Sequence, residues 1–286
     1  MCGTTYLKVF LAPPLHIFYF CFTPADLIQP SPFKHQHLLL EPKEGPEEHK
    51  MNEPHDQFLL HSAAREGRVS VAETLLKTEP KLATRIDEDG RLPIHWAVSS
   101  NSVDIVVLLA QHNSFDPDVQ DGSGWTPLMI AASLKDGEDL VNLLLQKGAD
   151  VNLKNHNGQS VLHFVASKNN LDVAKTLLSH DPPASTRVRD RRGQYPIHRA
   201  AAIGSVPMVA LLIKHKSPLN ATDTSGYTAL HHAAAEGHGD TAVALLKAGA
   251  EFDKKDNDGY LALSLAPDKE VRRYIERAAE GEGIDL

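Results

Sequence analysis

Apolar residues recur along most of this chain in pairs of amphipathic segments separated by polar turns that contain glycine. Residues 121–152 contain one such pair. A turn at 121–124 precedes Thr126-Pro127, where proline suits the first turn of a helix because the N–H it lacks has no helical partner there. A second segment carries its apolar residues at helical spacing and ends at Gly148, which suits a left-handed helix cap. The pattern therefore predicts two short helices and a turn.

The first helix of each pair carries a motif that recurs at a nearly fixed period. In its fullest form the motif is Thr228-Ala229-Leu230-His231-His232-Ala233-Ala234. The position of the motif histidine falls at His61, His95, Met129, His163, His198, His231 and Ser264. The steps between these positions are 34, 34, 34, 35, 33 and 33 residues. This period and the T-P-L-H-x-A motif resemble ankyrin repeats. We therefore predict an all-α solenoid of about seven repeats, built of helix pairs joined by β-hairpin loops, over residues 51–286.

A single helix pair of this size cannot bury its apolar face, so stability must come from stacking neighbouring repeats. The end units of such a stack need polar outer faces. Arg65-Glu66-Gly67-Arg68 makes the first unit polar, and the last predicted helix, 269–279, is charged on most faces. Within that helix Val271, Ile275 and Ala278 form a narrow apolar stripe.

The first 50 residues differ in kind from the repeats. Residues 6–22 are apolar and aromatic, but Pro13-Pro14 would break a helix there, and the run is short for a membrane span. It also lacks a clean signal-peptide cleavage site. Residues 23–50, rich in Pro, Glu, Lys and His, are predicted to be a disordered linker. Two interpretations stay open: residues 1–50 are a disordered tail, or they are a translated upstream extension and the natural start is Met51.

Charge and cysteine content narrow the classes of function. The formal net charge is −8, which argues against a nucleic-acid partner. Cys2 and Cys21 are the only cysteines and both precede the repeats, which fits a reducing compartment. There is no phosphate-binding loop, dinucleotide fingerprint or nucleophile elbow. We predict no enzymatic activity, no cofactor and no metal site, and we expect the motif histidines to hydrogen-bond neighbouring loop backbone.

A binding surface is predicted where hairpin tips and first helices line the concave face of the stack. The second repeat's tip is acidic at Glu88 and Asp89, and the fifth repeat's tip is basic at Arg191 and Arg192. Such blocks suit a partner with matching blocks of opposite charge, although hairpin tips are often charged only because they are solvated. Aromatic residues and arginines are common interface anchors, and burial is an equal alternative for Trp96. The candidate protein-binding residues are Glu88, Asp89, Arg91, Trp96, Ser123, Trp125, Lys168, Arg191, Arg192, Arg199, Tyr227 and Glu236.

Several runs that the ankyrin consensus does not dictate resemble the gankyrin family, most closely its fungal members. They are Asp87-Glu88-Asp89-Gly90-Arg91-Leu92-Pro93-Ile94-His95-Trp96-Ala97-Val98-Ser99, Gly124-Trp125-Thr126-Pro127-Leu128, Ile197-His198-Arg199-Ala200-Ala201-Ala202-Ile203-Gly204-Ser205 and Ala235-Glu236-Gly237-His238-Gly239-Asp240-Thr241-Ala242. The resemblance extends from about Asn52 to the C-terminus.

This resemblance implies a cytoplasmic and nuclear chaperone that holds the C-terminal domain of one base ATPase subunit during assembly of the proteasome 19S regulatory particle. It also implies no membrane association, and we expect a monomer. The animal member of the family is described as binding a retinoblastoma-type pocket through a Leu-x-Cys-x-Glu motif. This chain has no cysteine after Cys21 and therefore lacks that motif, so binding to such a tumour suppressor is not expected. The alternatives are an ankyrin adaptor for another charged partner, for example in signalling, and a protein that is associated with an enzyme or tethered to a membrane by residues 1–22.

Overall fold

The computed structural model describes residues 58–286, which form seven stacked helical units. In the first six units each first helix is followed by a longer or equally long second helix. The pairs are α1 Leu59–Arg65 with α2 Val69–Thr78, α3 Pro93–Ser99 with α4 Val103–Leu109, α5 Pro127–Ser133 with α6 Glu138–Gln146, α7 Val161–Lys168 with α8 Leu171–Ser179, α9 Pro196–Ala202 with α10 Val206–Lys214, and α11 Ala229–Ala235 with α12 Gly239–Lys247. In the seventh unit a 3-10 helix, Ala262–Leu265, precedes α13, Lys269–Gly281. A further 3-10 helix, Pro80–Thr84, follows α2.

The helices form two layers. The first helices pack on one another in chain order, from α1 on α3 through to α11 on the 3-10 helix of the seventh unit, and the second helices form a parallel row outside them. Over the first six repeats the first helices approach one another more closely than the second helices do, which places the first helices on the concave side. The prediction of an ankyrin-type stack of about seven repeats is confirmed.

Small residues make the close inner layer possible. Ala97, Ala131, Ala200 and Ala233 occupy equivalent first-helix positions, with Val165 at that place in the fourth repeat, and all five are at most 1% exposed. The longer apolar residues lie between the two layers, and the predicted core residue Leu144 on α6 is fully buried. The core is therefore one continuous strip along the stack.

The hairpins differ in one respect from the prediction. In residues 58–286 no segment forms a named β-strand, and the isolated bridge there joins Lys255 to Leu261. Each tip is instead a five-residue turn closed by a backbone hydrogen bond, as in Asp121 N to Trp125 O at 3.0 Å. The turns are too short for a ladder to form.

The two ends of the stack are unlike. At the C-terminal end α13 presents charged residues outward, as predicted. Of the predicted apolar stripe Ile275 is fully buried and Val271 and Ala278 are partly buried, while Ala279, which was not predicted, is also fully buried. At the other end Arg65 and Arg68 are exposed as predicted, but Val69 and Val71 of α2 are also more than one third exposed. The predictions for residues 1–50, and for a natural start at Met51, lie outside the described residues.

Candidate functional site

The hairpin tips are rigid because the first residue of each tip holds the turn. Oδ1 of Asp121 accepts from the backbone N–H groups of Ser123 and Trp125, both at 2.9 Å. The equivalent residues at the other tips accept the same pair of bonds from positions two and four residues later. These residues are Asp87, Asn155, Asp190, Asp223 and Asp256. A side chain carried by a tip is therefore presented from a fixed backbone.

Neighbouring tips are joined to one another by backbone hydrogen bonds. His156 N donates to Ser123 O at 3.0 Å, and equivalent bonds join each pair of consecutive tips from Gly122–Asp89 to Asn257–Ser225, at 2.8–3.1 Å. Gly124 has a φ of +79°, and a Cβ there would lie 2.7 Å from His156 N. Gly122 does not have a positive φ, but a Cβ there would lie 2.5 Å from Asp89 O. The tips thus form one continuous edge.

The motif histidines connect repeats, as predicted. Nδ1 of His163 accepts from Ser160 N at 3.1 Å, which leaves the proton on Nε2, and Nε2 donates to Gln194 O of the next repeat at 3.1 Å. His231 makes the equivalent pair of bonds. His95 and His198 also accept from the N-cap backbone, but they donate to Val119 O and Ala221 O, which lie just before the next tip. Burial lowers the pKa of His163 and of His198 to about 4. These neutral, buried imidazoles act as structural bridges.

Three predicted contact residues also bond carboxylates of the tips. Trp96 donates from Nε1 to Asp87 Oδ2 at 2.7 Å. Arg91 donates from Nε to Asp121 Oδ2 in the next repeat at 3.3 Å, and its guanidinium lies 4.9 Å from the centroid of the Trp96 ring. Arg199 occupies the position equivalent to Trp96 and bonds the buried carboxylate of Asp190 in its own repeat. Their side chains are therefore positioned by internal carboxylates.

Sequence reasoning missed His232, which completes the same arrangement in the sixth repeat. Its Nε2 lies 3.0 Å from Asp223 Oδ2, and Gln194 donates to the same oxygen at 3.2 Å. Burial raises the pKa of Asp223, but the hydrogen bonds from His232 and Gln194 outweigh burial and lower it to about 2. Tyr227 stacks on His231 and contacts His232 edge to face. The signal was available, since His232 follows Asp223 by nine residues, as Trp96 follows Asp87.

The two predicted charged blocks are exposed. Glu88 and Asp89 lie on the second repeat's tip, and Arg191 and Arg192 lie on the fifth repeat's tip. Among the described residues none of the four has an ion-pair partner within 4 Å. The other predicted contacts lie between or beyond these blocks: Ser123 and Lys168 are exposed, and Glu236 is half-buried.

An open cleft of about 620 Å³ adjoins the acidic tip. Its walls include Leu59 and Trp96 on the apolar side and Glu88 and Asp89 on the acidic side, with Arg65 beside the tryptophan. The guanidinium of Arg65 lies 5.7 Å from the Trp96 ring centroid. The cleft is therefore amphipathic and suits a side chain that has both an apolar body and a positive charge.

Farther along the inner layer, Trp125 and Phe164 form an aromatic pair that spans the third and fourth repeats. Their ring centroids are 4.3 Å apart and the ring planes are tilted by 33°. Both side chains are half-buried. Trp125 was predicted as a contact residue, whereas Phe164 was not, because it appeared only as part of the helix motif.

The described residues show neither a group of three or more side chains placed to hold a metal ion nor a helix that is long and apolar enough to cross a membrane. Five of the histidines in residues 58–286 bond a backbone carbonyl of the next repeat; they are His61, His95, His163, His198 and His231.

Comparison with known proteins identifies the family. The family model described as ankyrin repeats (3 copies) matches residues 35–121, 107–187 and 162–256. The chain is 38% identical over 175 residues to the probable 26S proteasome regulatory subunit p28 of Saccharomyces cerevisiae, covering 60% of this chain and 76% of that protein. It is 36% identical over 156 residues to an ankyrin repeat-containing protein of Schizosaccharomyces pombe, covering 54% of this chain and 66% of that protein.

Solved structures agree on the fold. The human ASB11 ankyrin repeat domain superposes with a TM-score of 0.67 at 22% identity, covering 77% of this chain and 96% of that one. The ankyrin repeat domain of Bcl-3 gives 0.63 at 24% identity, covering 76% and 97%. At these identities the structures show the fold alone. The family match and the extent of the yeast relative together show that this chain belongs to the ankyrin-repeat proteins and, within them, to the gankyrin family with the yeast p28 subunit.

Proposed function

We propose that this protein is a non-enzymatic assembly chaperone that binds the C-terminal domain of a base ATPase subunit of the proteasome 19S regulatory particle, in the cytoplasm and nucleus. The similarity to the yeast proteasome regulatory subunit supports the proteasome as its setting. The observation that carries the binding surface is the edge of joined tips, acidic at Glu88 and Asp89 and basic at Arg191 and Arg192.

The two blocks act as nearly independent contacts. They lie three repeats apart, and at roughly 10 Å per repeat, a helix-packing distance, they are separated by about 30 Å. This exceeds the Debye length of about 8 Å at physiological salt. A complementary partner gains mainly in association rate and in orientation from such blocks. The partner must therefore present basic residues toward the second repeat and acidic residues toward the fifth.

The test is titration of the full chain with each purified base ATPase C-terminal domain, by calorimetry and surface-binding kinetics at two salt concentrations. Reversing either block, with Glu88→Lys plus Asp89→Lys or with Arg191→Glu plus Arg192→Glu, should slow association and flatten the salt dependence. Because the blocks are far apart, the losses should add when both are reversed. Lys214→Glu plus Lys216→Glu is the matched control, since it changes the net charge as much as the arginine reversal but lies at the end of α10.

Two outcomes would contradict the proposal. If no base ATPase domain binds the wild-type chain, the function is wrong. If a domain binds but both reversals leave its affinity unchanged, the interface lies elsewhere on the stack. The remaining alternative, an ankyrin adaptor for another charged partner, is distinguished by affinity purification and mass spectrometry, which should recover base ATPases if the chaperone function is correct.

A further inference from the structure

We propose that Trp125 and Phe164 form the apolar anchor of this groove and bind a large aliphatic or aromatic side chain from an amphipathic helix of the partner. The inference rests on the proposed function and identifies the chemistry that its partner must present between the two charged blocks. It assigns a binding role to Phe164, which the charge pattern of the sequence did not indicate.

The first observation concerns one position of the first helices. Nine residues after the first residue of the tip, Trp96, Arg199 and His232 each reach the carboxylate of that residue, at 2.7–3.0 Å. In the third, fourth and seventh repeats this position is Ile130, Phe164 and Leu265, none of which can make such a bond, and Ile130 is buried whereas Phe164 is half-buried. In the fourth repeat the first tip residue is Asn155, and its side-chain amide donates to Gln159 Oε1 at 3.1 Å instead. Phe164 therefore has no polar role in holding its tip.

The second observation concerns the last residue of the tip. Arg91 and Gln194 occupy this position in the second and fifth repeats, and each reaches across to the tip carboxylate of the next repeat. In the third repeat the position is Trp125, which meets Phe164 instead, with ring centroids 4.3 Å apart. A ring-on-ring contact thus replaces a polar contact between repeats. Both rings are left half-buried, although the neighbouring Leu128 and Val165 are at most 1% exposed.

The third observation is the position of the pair. The third and fourth repeats lie between the acidic tip of the second repeat and the basic tip of the fifth. An apolar centre with a charged rim is the common anatomy of protein interfaces, and aromatic residues are enriched at such centres. The solvated charges give orientation, whereas an apolar centre gives binding energy when it is desolvated.

These positions define the partner's chemistry. Each charged block lies about one and a half repeats from the aromatic pair, or roughly 15 Å at about 10 Å per repeat. An α-helix rises about 1.5 Å per residue, so this distance corresponds to about ten residues or three turns. The partner segment should therefore have a large apolar residue near its middle, with basic residues about three turns to one side and acidic residues about three turns to the other.

The test compares Phe164→Gln with Phe164→Leu in the full chain, titrated with the base ATPase domain that the wild-type chain binds. The fold should tolerate glutamine, because polar residues occupy the equivalent position in the fifth and sixth repeats. We expect Phe164→Gln to weaken binding by roughly tenfold to a hundredfold, mainly through faster dissociation. Its salt dependence should match the wild type, unlike that of the charge reversals. Phe164→Leu keeps an apolar group and should retain most of the affinity.

A spectroscopic measurement reports on the same contact. The chain contains two tryptophans, so in the Trp96→Phe variant all tryptophan fluorescence comes from Trp125. Binding of the ATPase domain should shift that emission to shorter wavelength as the indole is desolvated. If Phe164→Gln binds with wild-type affinity and kinetics, or if Trp125 emission does not change in a complex that forms, the anchor is wrong while the proposed function stands. If the wild-type chain binds no base ATPase domain, both are wrong.

Discussion

Arg199 donates from Nη2 to Asp190 Oδ2 at 3.0 Å, nine residues earlier in the chain. The other oxygen of that carboxylate accepts from the backbone N–H groups of Arg192 and Gln194, at 2.9 and 2.8 Å. The carboxylate is almost fully buried and the guanidinium is mostly so. One arginine of the predicted binding set therefore fixes the turn that presents another, and substitutions at the two should have different effects.

The first prediction separates these two arginines. Arg199→Ala leaves the buried Asp190 Oδ2 without its donor and should lower the free energy of unfolding by about 1–3 kcal/mol. Arg192→Ala removes an exposed side chain and should change it by less than about 0.5 kcal/mol. Urea denaturation of both variants measures the difference. Equal stabilities would show that the bond between Arg199 and Asp190 does not hold the turn.

The second prediction concerns Asp256, whose buried Oδ2 has no hydrogen-bond partner. Its Oδ1 holds the seventh tip, so Asp256→Asn keeps both backbone bonds and removes an uncompensated charge. We expect the variant to be as stable as the wild type or slightly more stable. The matched substitution Asp223→Asn should instead cost about 1–3 kcal/mol, because His232 and Gln194 bond that carboxylate. Thermal unfolding of the two variants tests this, and an equal loss in both would contradict it.

The third prediction is a dependence of stability on pH. His95, His163, His198 and His231 are held neutral, with pKa values below their usual 6.5 because of burial. Below pH 6.5 the unfolded chain takes up protons that the folded chain does not, so stability is complete above this pH and falls as the pH drops toward about 4. Each fully buried histidine contributes about 1.4 kcal/mol per unit of pKa difference. The lowered pKa of Asp223 acts in a separate window, between 3.8 and about 2.

The measurement is the urea midpoint from pH 7.5 to 4.5. His163→Met is the control, because Met129 occupies the equivalent position in the third repeat and is buried there. The variant should be less stable than wild type at neutral pH, since the hydrogen bonds of His163 are lost, and its stability should fall less steeply with pH. An identical slope would show that His163 is not among the groups responsible.

The fourth prediction tests the core. Leu144→Ala removes a fully buried side chain between the layers and should cost about 2–5 kcal/mol. Leu143 is its neighbour on α6 and is only half-buried, so Leu143→Ala should cost less. Neither should alter binding to the groove in the fraction that remains folded. A shift of the Leu144→Ala midpoint equivalent to less than about 1 kcal/mol would contradict the assigned packing.

The fifth prediction isolates the contact between tips. Gly124→Ala and Gly259→Ala both place a Cβ on a residue with positive φ, +79° and +85°. At Gly124 the Cβ also meets the backbone of His156, whereas at Gly259 no atom lies within 4 Å. Gly124→Ala should therefore be the more destabilising, because only there must a tip move away from its neighbour. Equal destabilisation would show that the tips are not tightly joined.

The repeat period made most of the fold predictable. A motif that recurs seven times defines each first helix, and the structure begins α5 at Pro127 and ends α6 just before Gly148, as the turn residues predicted. The histidine bridges were also predictable, because a buried imidazole at a repeated position requires repeated partners. The copy around Ser264 is degenerate in sequence, but periodicity alone did not predict that its first helix would be the 3-10 helix Ala262–Leu265.

The candidate site was less predictable, because the sequence does not show whether a charged side chain forms an internal ion pair or is exposed to a partner. Arg91 and Arg192 are both tip arginines, but the first bonds the buried Asp121 while the second is exposed. The difference depends on whether a carboxylate of the neighbouring repeat lies within reach, which is a relation in space. Phe164 was not predicted as a contact residue, because an aromatic residue inside a helix motif is usually buried in the core.

The histidine bridges are not evenly distributed, and their one gap has a consequence for motion. Within the described residues an imidazole joins each repeat to the next at every step except the one after Met129, whose thioether cannot donate a hydrogen bond. We therefore expect the stack to flex more readily between the third and fourth repeats than at the other steps. Amide hydrogen exchange should be faster at this junction than at the other junctions between repeats. Trp125 and Phe164 lie on opposite sides of this junction. A partner that binds both side chains would therefore restrict motion between the third and fourth repeats and fix the curvature of the whole stack.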